Sequence, residues 1–265
     1  MDYNLSELCE SFSLDMFSLK GKVAVVTGGN TGLGLAYVMA LAKAGADIFI
    51  ISYNEDNWEE INESIKGLGQ KVEFIKTDLS KKENAKQSID ECIKRFGRID
   101  VLINNAGTIR RSPILEYKDE DWEAVIDINL NAVYYLSQSA VKHMVKQGCG
   151  KIINIASMLS FQGGKFVPPY TASKHGVAGI TKAFANELAD KNIQINAIAP
   201  GYIATANTAP IRADEKRNEE ILGRIPAGRW GETSDLMGTV VFLASKASDY
   251  VNGHILAIDG GWLVR

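Results

Sequence analysis

Two hydrophobic patterns alternate along this chain. Short, mostly apolar runs, rich in Val, Ile and Leu, fall at 23–27, 47–52, 71–76, 99–103, 151–156, 194–199 and 255–258. A strand covered on both faces reads as such a run, whereas a half-exposed strand alternates apolar with polar residues. Between the runs, apolar residues recur every three or four positions, which predicts helices over 35–44, 56–68, 81–96, 120–147, 170–190 and 234–244. Strands alternating with helices predict one α/β domain, a parallel sheet of about seven strands with helices on both faces. Residues 1–20 form a polar, Phe-dotted lead-in without either pattern, which would fray or pack on a neighbouring subunit. The domain is expected over 21–265.

Composition narrows the classes. The chain has 265 residues, 46% apolar and 23% charged, with a net charge of −3 and no basic run, so nucleic acid is not an expected partner. Cys9, Cys92 and Cys149 are odd in number and lack ligand-like spacing, so neither a disulfide framework nor a metal site is expected. The first ten residues carry acids where a signal peptide carries bases, and no apolar run reaches the ~18 residues needed to span a bilayer. The expected location is the cytoplasm.

In a doubly covered parallel sheet, ligands bind beyond the carboxyl ends of the strands. Gly28, Ser52, Asp78, Asn104, Ser157 and Pro200 fall at or just past those ends. After the first strand, Gly28-Gly29-Asn30-Thr31-Gly32-Leu33-Gly34 leads into a helix. Glycines there let the backbone approach a pyrophosphate, and the helix N-terminus supplies N–H groups and partial positive charge. Tyr170 and Lys174 are four apart, hence on one helix face. A phenol, ordinarily titrating near ~10, becomes a usable proton carrier if a nearby ammonium stabilises its phenolate. Ser157 offers a hydroxyl for the same oxygen.

These segments together, TGGNTGLG at 27–34, TDL at 77–79, NNAG at 104–107, Asn129, Ser157, YTASK at 170–174, PGYIAT at 200–205 and DGG at 259–261, resemble the short-chain dehydrogenase/reductase family over roughly residues 20 to 265. The resemblance implies a Rossmann-type domain, a nicotinamide cofactor and a homotetramer built on the two long helices. It implies Tyr170 as general acid/base, Lys174 binding the nicotinamide ribose while lowering the Tyr170 pKa, Ser157 orienting the reacting oxygen, and Asn129 holding a water between Lys174 and solvent. The glycine loop (Gly28, Asn30, Thr31, Gly32, Leu33, Gly34), Ser52 and Tyr53, Asp78 and Leu79, Asn105 with Ala106 and Gly107, and Pro200, Gly201, Ile203 and Thr205 would hold the cofactor. With the whole catalytic set present, an enzyme is expected rather than a dinucleotide-sensing or purely structural protein.

Cofactor and substrate are read from side-chain chemistry. No Asp ends the second strand, where Ser52 and Tyr53 stand, yet no Arg or Lys occupies position 31 or 53 to pair with a 2′-phosphate. NAD(H) is therefore favoured over NADP(H), with tolerance of both as the alternative. Arg110 and Arg111 follow NNAG at the mouth of the cleft, and a guanidinium pairs bidentately with carboxylate. Arg111 is the expected anchor of an acidic substrate, with Gln162 and Tyr202 lining a sugar-sized pocket beside Ser157 and Tyr170. Residues 206–224 would form a lid, and Arg229-Trp230-Gly231 a subunit contact. Within the family, NIASMLSFQGG, NNAGTIRR, RADEKR and IPAGRWGETSDLMG resemble the 2-dehydro-3-deoxy-D-gluconate 5-dehydrogenases of uronate breakdown. The related gluconate 5-dehydrogenases are the alternative.

Overall fold

The computed structural model of the chain describes residues 4–265; Met1–Tyr3, the start of the lead-in, lie outside the described residues. The seven apolar runs become strands β1 (Val23–Thr27), β2 (Asp47–Ser52), β3 (Val72–Lys76), β4 (Val101–Asn104), β5 (Gly150–Ile155), β6 (Ile193–Pro200) and β7 (Ile255–Ile258). They form one sheet in the order β3-β2-β1-β4-β5-β6-β7, with every pair parallel.

Successive strand side chains point to opposite faces, and two cores result. Ala24, Val26, Ile48 and Ile50 meet Tyr37, Val38 and Leu41 of α2 (Gly32–Lys43). The same layer includes Val240 and Leu243 of α10 (Met237–Ala244). Their neighbours Val23, Val25, Phe49 and Ile51 pack in the other layer with α4 (Lys82–Phe96), α6 (Ala132–Gln147) and Ala185 of α7 (Pro168–Leu188). The remaining helices are α1 (Leu5–Glu10), α3 (Trp58–Gly67), α5 (Asp119–Ile126), α8 (Ala209–Ala213) and α9 (Glu215–Leu222).

Three features differ from the sequence expectation. The helix expected over 120–147 is interrupted by a π-turn, Asp127–Asn131. The interruption centres on the buried Asn129, whose side chain bonds the backbone of Thr108 and not its own helix. α7 opens at Pro168, two residues before Tyr170, because proline's fixed φ and missing N–H suit a first helical turn. The lead-in is also less separate than expected: α1 is exposed, but Leu19 is buried in the α2/α10 core and Phe17 packs 6.4 Å from Phe242.

Asp100, buried just before β4, pins the amino ends of β1 and β4. Its carboxylate accepts from the Val23 N–H (3.0 Å), Lys22 (3.2 Å) and both Nε and Nη2 of Arg98 (2.6 Å each). Burial works against the charge, but the Arg98 and Val23 hydrogen bonds, with the Lys22 and Arg98 charges, hold the carboxyl below its ordinary range. A depressed carboxyl stabilises the fold above the unfolded-chain value near ~4, and that stability is lost as pH falls through the folded value. Asp100→Asn should cost about 2–4 kcal/mol near pH 7 in urea titrations, and its stability should fall less steeply than the parent's below pH ~4. Gly34, in the first turn of α2, has no room for a side chain. A Cβ there would overlap the Gly28 carbonyl oxygen and come within 2.6 Å of Asn105 Nδ2. Gly34→Ala should lose about 2–4 kcal/mol in the same titrations.

Candidate active site

The strand carboxyl ends open into a cleft of about 710 Å³. One wall is the β1–α2 turn. Gly28 and Gly32 adopt left-handed backbone (φ 61° and 53°), which glycine alone enters without strain. The Thr31 side chain does not cap α2, so the first N–H groups of that helix are left to a ligand. Beneath them the Thr27 hydroxyl accepts from the N–H groups of Asn105 and Ala106 (2.9 Å each), and the Asn105 amide donates to the carbonyls of Thr27 and Gly28. This cradle, from which a Cβ at Gly34 is excluded, fits a dinucleotide pyrophosphate.

Of the residues expected to hold the cofactor, Gly28, Thr31, Gly32, Leu33, Asn105, Ala106, Gly107, Gly201 and Thr205 line the cleft, with Tyr170 and Lys174. Others shape it from outside. Gly34 packs beneath the turn. Asn30 is buried and accepts a hydrogen bond from the Ser52 hydroxyl, while its amide donates to Asn54 Oδ1 (2.7 Å). Ser52 and Asn30 therefore fix the loop after β2, and Tyr53 is 75% exposed. The Asp78 carboxylate accepts from the Ser80 N–H (2.9 Å), and its Ser80 hydrogen bonds keep it below the usual carboxyl range. Leu79 and Ile203 are buried, and Pro200 ends β6.

The reacting groups come from β5 and α7. Ser157 follows β5 and caps a short turn, accepting from the Leu159 N–H (3.1 Å). Ser160 in that turn donates to the Lys174 carbonyl (2.7 Å), so turn and helix are fastened together. Tyr170 faces Ser157. Burial raises its phenol pKa, opposed by the hydrogen bond with Ser157 and the charge of Arg111. The Lys174 ammonium donates to the Ile155 carbonyl (2.6 Å) and sits 5.4 Å from the Tyr170 ring centre; burial pulls its pKa down to about 8. Besides Lys174, the Arg111 guanidinium also bears on the phenol and opposes the effect of burial. Asn129 does not line the cleft. Its side chain bonds the Thr108 N–H (2.8 Å) and carbonyl (2.9 Å) and reaches Ser173 Oγ at 3.4 Å.

The paired arginines diverge. Arg111 lines the cleft, while Arg110 turns to Thr108 Oγ1 (3.0 Å) and Asp121 (3.5 Å). Gln162 and Tyr202 also line it. So do Arg217, Arg224 and Trp262, which the sequence reading did not single out. Arg217 and Arg224 flank Ile221 at near-helical spacing inside the segment expected as a lid, a signal that was available; nothing in the local pattern marks Trp262. The 229–231 segment makes contacts within the chain. Arg229 forms a two-pronged ion pair with Asp235, and Trp230 donates to Asn218 Oδ1 (2.7 Å) and packs 5.4 Å from Tyr202. Among the described residues, no helix is long and apolar enough to cross a membrane and no group of three acidic, His or Cys side chains is placed to hold a metal.

Residues 22–216 match the short chain dehydrogenase family. The chain is 57% identical over 251 residues to a 2-dehydro-3-deoxy-D-gluconate 5-dehydrogenase of Bacillus subtilis (strain 168), covering 95% of this chain and 98% of that one. It is 56% identical to the enzyme of the same name from Escherichia coli (strain K12), covering 95% and 99%. A crystal structure of a gluconate 5-dehydrogenase from Burkholderia cenocepacia J2315, in complex with NADP and tartrate, superposes with a TM-score of 0.91 at 37% identity, covering 96% of this chain and 100% of that one. The seven-stranded parallel sheet, the glycine cradle and these similarities make the chain a member of the short-chain dehydrogenase family.

Proposed function

We propose that this enzyme interconverts a C5 alcohol and ketone on a six-carbon sugar acid, 2-dehydro-3-deoxy-D-gluconate and 3-deoxy-D-glycero-2,5-hexodiulosonate, as part of uronate breakdown. The names of the relatives at 56–57% identity support this substrate. The observation that carries the reading is the shared cleft of Arg111, Ser157, Tyr170 and Lys174. It joins a carboxylate-binding cation to a proton-transfer group. Gluconate 5-dehydrogenase activity is the second reading, favoured by the relative crystallised with a hydroxy-acid, tartrate.

A bound nicotinamide ring supplies or accepts the hydride. In the reductive direction Tyr170, its phenol kept protonated by burial, gives its proton to the C5 oxygen. Ser157 holds that oxygen and, through its hydrogen bond to Tyr170, eases formation of the phenolate. Lys174, with its depressed pKa, positions the ribose and passes protons inward. Arg111 fixes the carboxylate, so binding of remote charge orients the reacting carbon. For the cofactor, the loop 52–57 reads Ser-Tyr-Asn-Glu-Asp-Asn, with two acids and no cation to meet a 2′-phosphate. We therefore propose a preference for NAD(H), although relatives have been crystallised with NADP. A cytoplasmic homotetramer is the proposed assembly, supported by half-exposed Trp122 on α5 and Tyr134 on α6.

Steady-state kcat/KM with NADH and NADPH against the 3-deoxy diketo acid and 5-keto-D-gluconate tests these points together. Higher values with NADH and the deoxy acid are expected; preference for 5-keto-D-gluconate would move the assignment to the second reading. Tyr170→Phe should lower kcat by ~10²–10⁴ with NADH binding little changed, and full turnover would refute its acid/base role. Arg111→Ala should lower kcat/KM on the acids by ~10–100-fold and spare neutral ketones; an equal loss on both would remove its carboxylate role.

A further inference from the structure

The roof of the cleft carries a second cation that no part of the reaction above uses. Arg224 follows α9 directly and lines the cleft with Arg217, Glu220 and Ile221. Arg217 is neutralised by Glu220 at 3.1 Å. Arg224 is not neutralised: its guanidinium lies 4.0 Å from the Trp262 ring centre, and its Nη2 donates to the neutral amide of Gln162 at 3.4 Å. Among the described residues no carboxylate contacts either Arg224 or Arg111. Two unpaired guanidiniums therefore share one cleft, one on the β4 loop and one on the roof. The Trp262 indole N–H is buried and has no acceptor.

Both cations face the same part of the cleft: Arg111 bears on the phenols of Tyr170 and Tyr202, and Arg224 on Tyr202. In a C5 reduction the carboxyl carbon lies four bonds from the reacting carbon, roughly 5 Å away when extended. A carboxylate that far from the reacting carbon leaves room for a second cation beside Arg111, and Arg224 lines the same cleft.

We propose that Arg224, held over the Trp262 ring and steadied by Gln162, is a second carboxylate anchor that completes a two-guanidinium clamp with Arg111. The inference rests on the sugar-acid reading above. Because Arg224 rides on the α8–α9 segment, the substrate's own charge draws that segment over the cleft; a neutral sugar lacks the handle. Specificity for acids then comes from the roof as well as the wall. A planar guanidinium can stack on indole and bind a carboxylate edge-on at once, which an ammonium cannot do as well.

The test is calorimetric binding of D-gluconate and D-glucitol, which differ only in carboxylate against hydroxymethyl, to the NADH-loaded enzyme and its Arg224→Gln and Arg224→Lys variants. Wild type should bind gluconate at least ~10-fold tighter than glucitol; no discrimination would overturn the sugar-acid reading and this inference with it. Arg224→Gln should weaken gluconate by ~10–100-fold and leave glucitol within about twofold. Arg224→Lys should recover part of the loss. If Arg224→Gln binds gluconate as wild type does, or loses both sugars equally, or if Lys is no better than Gln, the clamp is refuted while wild-type discrimination still upholds the sugar-acid reading. Unchanged NADH affinity and far-ultraviolet circular dichroism show that the variants are folded.

Discussion

The site depends on a tie between the carboxyl ends of β1 and β4. The Thr27 hydroxyl donates to the Ile103 carbonyl (3.3 Å) and accepts from Asn105 and Ala106, while the Asn105 amide returns to the Thr27 and Gly28 carbonyls. These strands are neighbours at the point where the strand order runs away in both directions, towards β2 and β3 on one side and β5, β6 and β7 on the other. The loops leaving them must part, and the parting is the crevice in which an open parallel sheet binds its ligand. With Gly34 pressed on the Gly28 carbonyl, the amino end of α2 is held over the same spot. A single hydroxyl thus fixes strand spacing, turn and helix end together.

Much of this was legible because the signals are local. The seven mostly apolar runs became seven strands; the central ones, buried on both faces, have no polar side to show, while the edge strands β3 and β7 are half-buried. The glycines at 28, 32 and 34 were readable because each meets a specific backbone need. Boundaries moved where two signals compete: Pro168 starts α7 ahead of Tyr170, and Gly32 starts α2 ahead of the apolar stretch. The π-turn at Asn129 was not legible, because what creates it is a partner twenty-one residues away, the backbone of Thr108.

The same distinction holds for side chains. Ser157, Tyr170 and Lys174 could be grouped from sequence because their elements are consecutive. Trp262 and Arg224 come from opposite sides of α10 and β7 in the chain, and only the folded sheet brings them into contact. Asn30 and Ser52 are a second case. Both sit where cofactor contacts were expected, and the fold joins them: the Ser52 hydroxyl donates to Asn30, whose amide donates to the loop after β2.

Floor and roof of the cleft are built differently, and the difference is mechanical. Under the floor, Asn104 donates to Ser137 (2.9 Å) and to Asn154 (2.8 Å), which in turn donates to Thr181 (2.9 Å), a buried chain linking β4, β5, α6 and α7. Buried polar chains of this kind are costly to break and hold a single geometry. The roof has no such chain. The α8–α9 segment is mostly exposed: Ile221 and Ile225 seat it on a small apolar cluster with Met158 and Trp262, and its polar ties are Arg212 to the Thr205 carbonyl (3.2 Å), Trp230 to Asn218, and Arg224 on Trp262 and Gln162. Segments with few buried contacts open at low free-energy cost. Ser157 and Tyr170 must stay aligned to within fractions of an ångström, so they belong to the stiff layer. A roof that admits substrate has to belong to the soft one, where a ligand's charge is large enough to shift it.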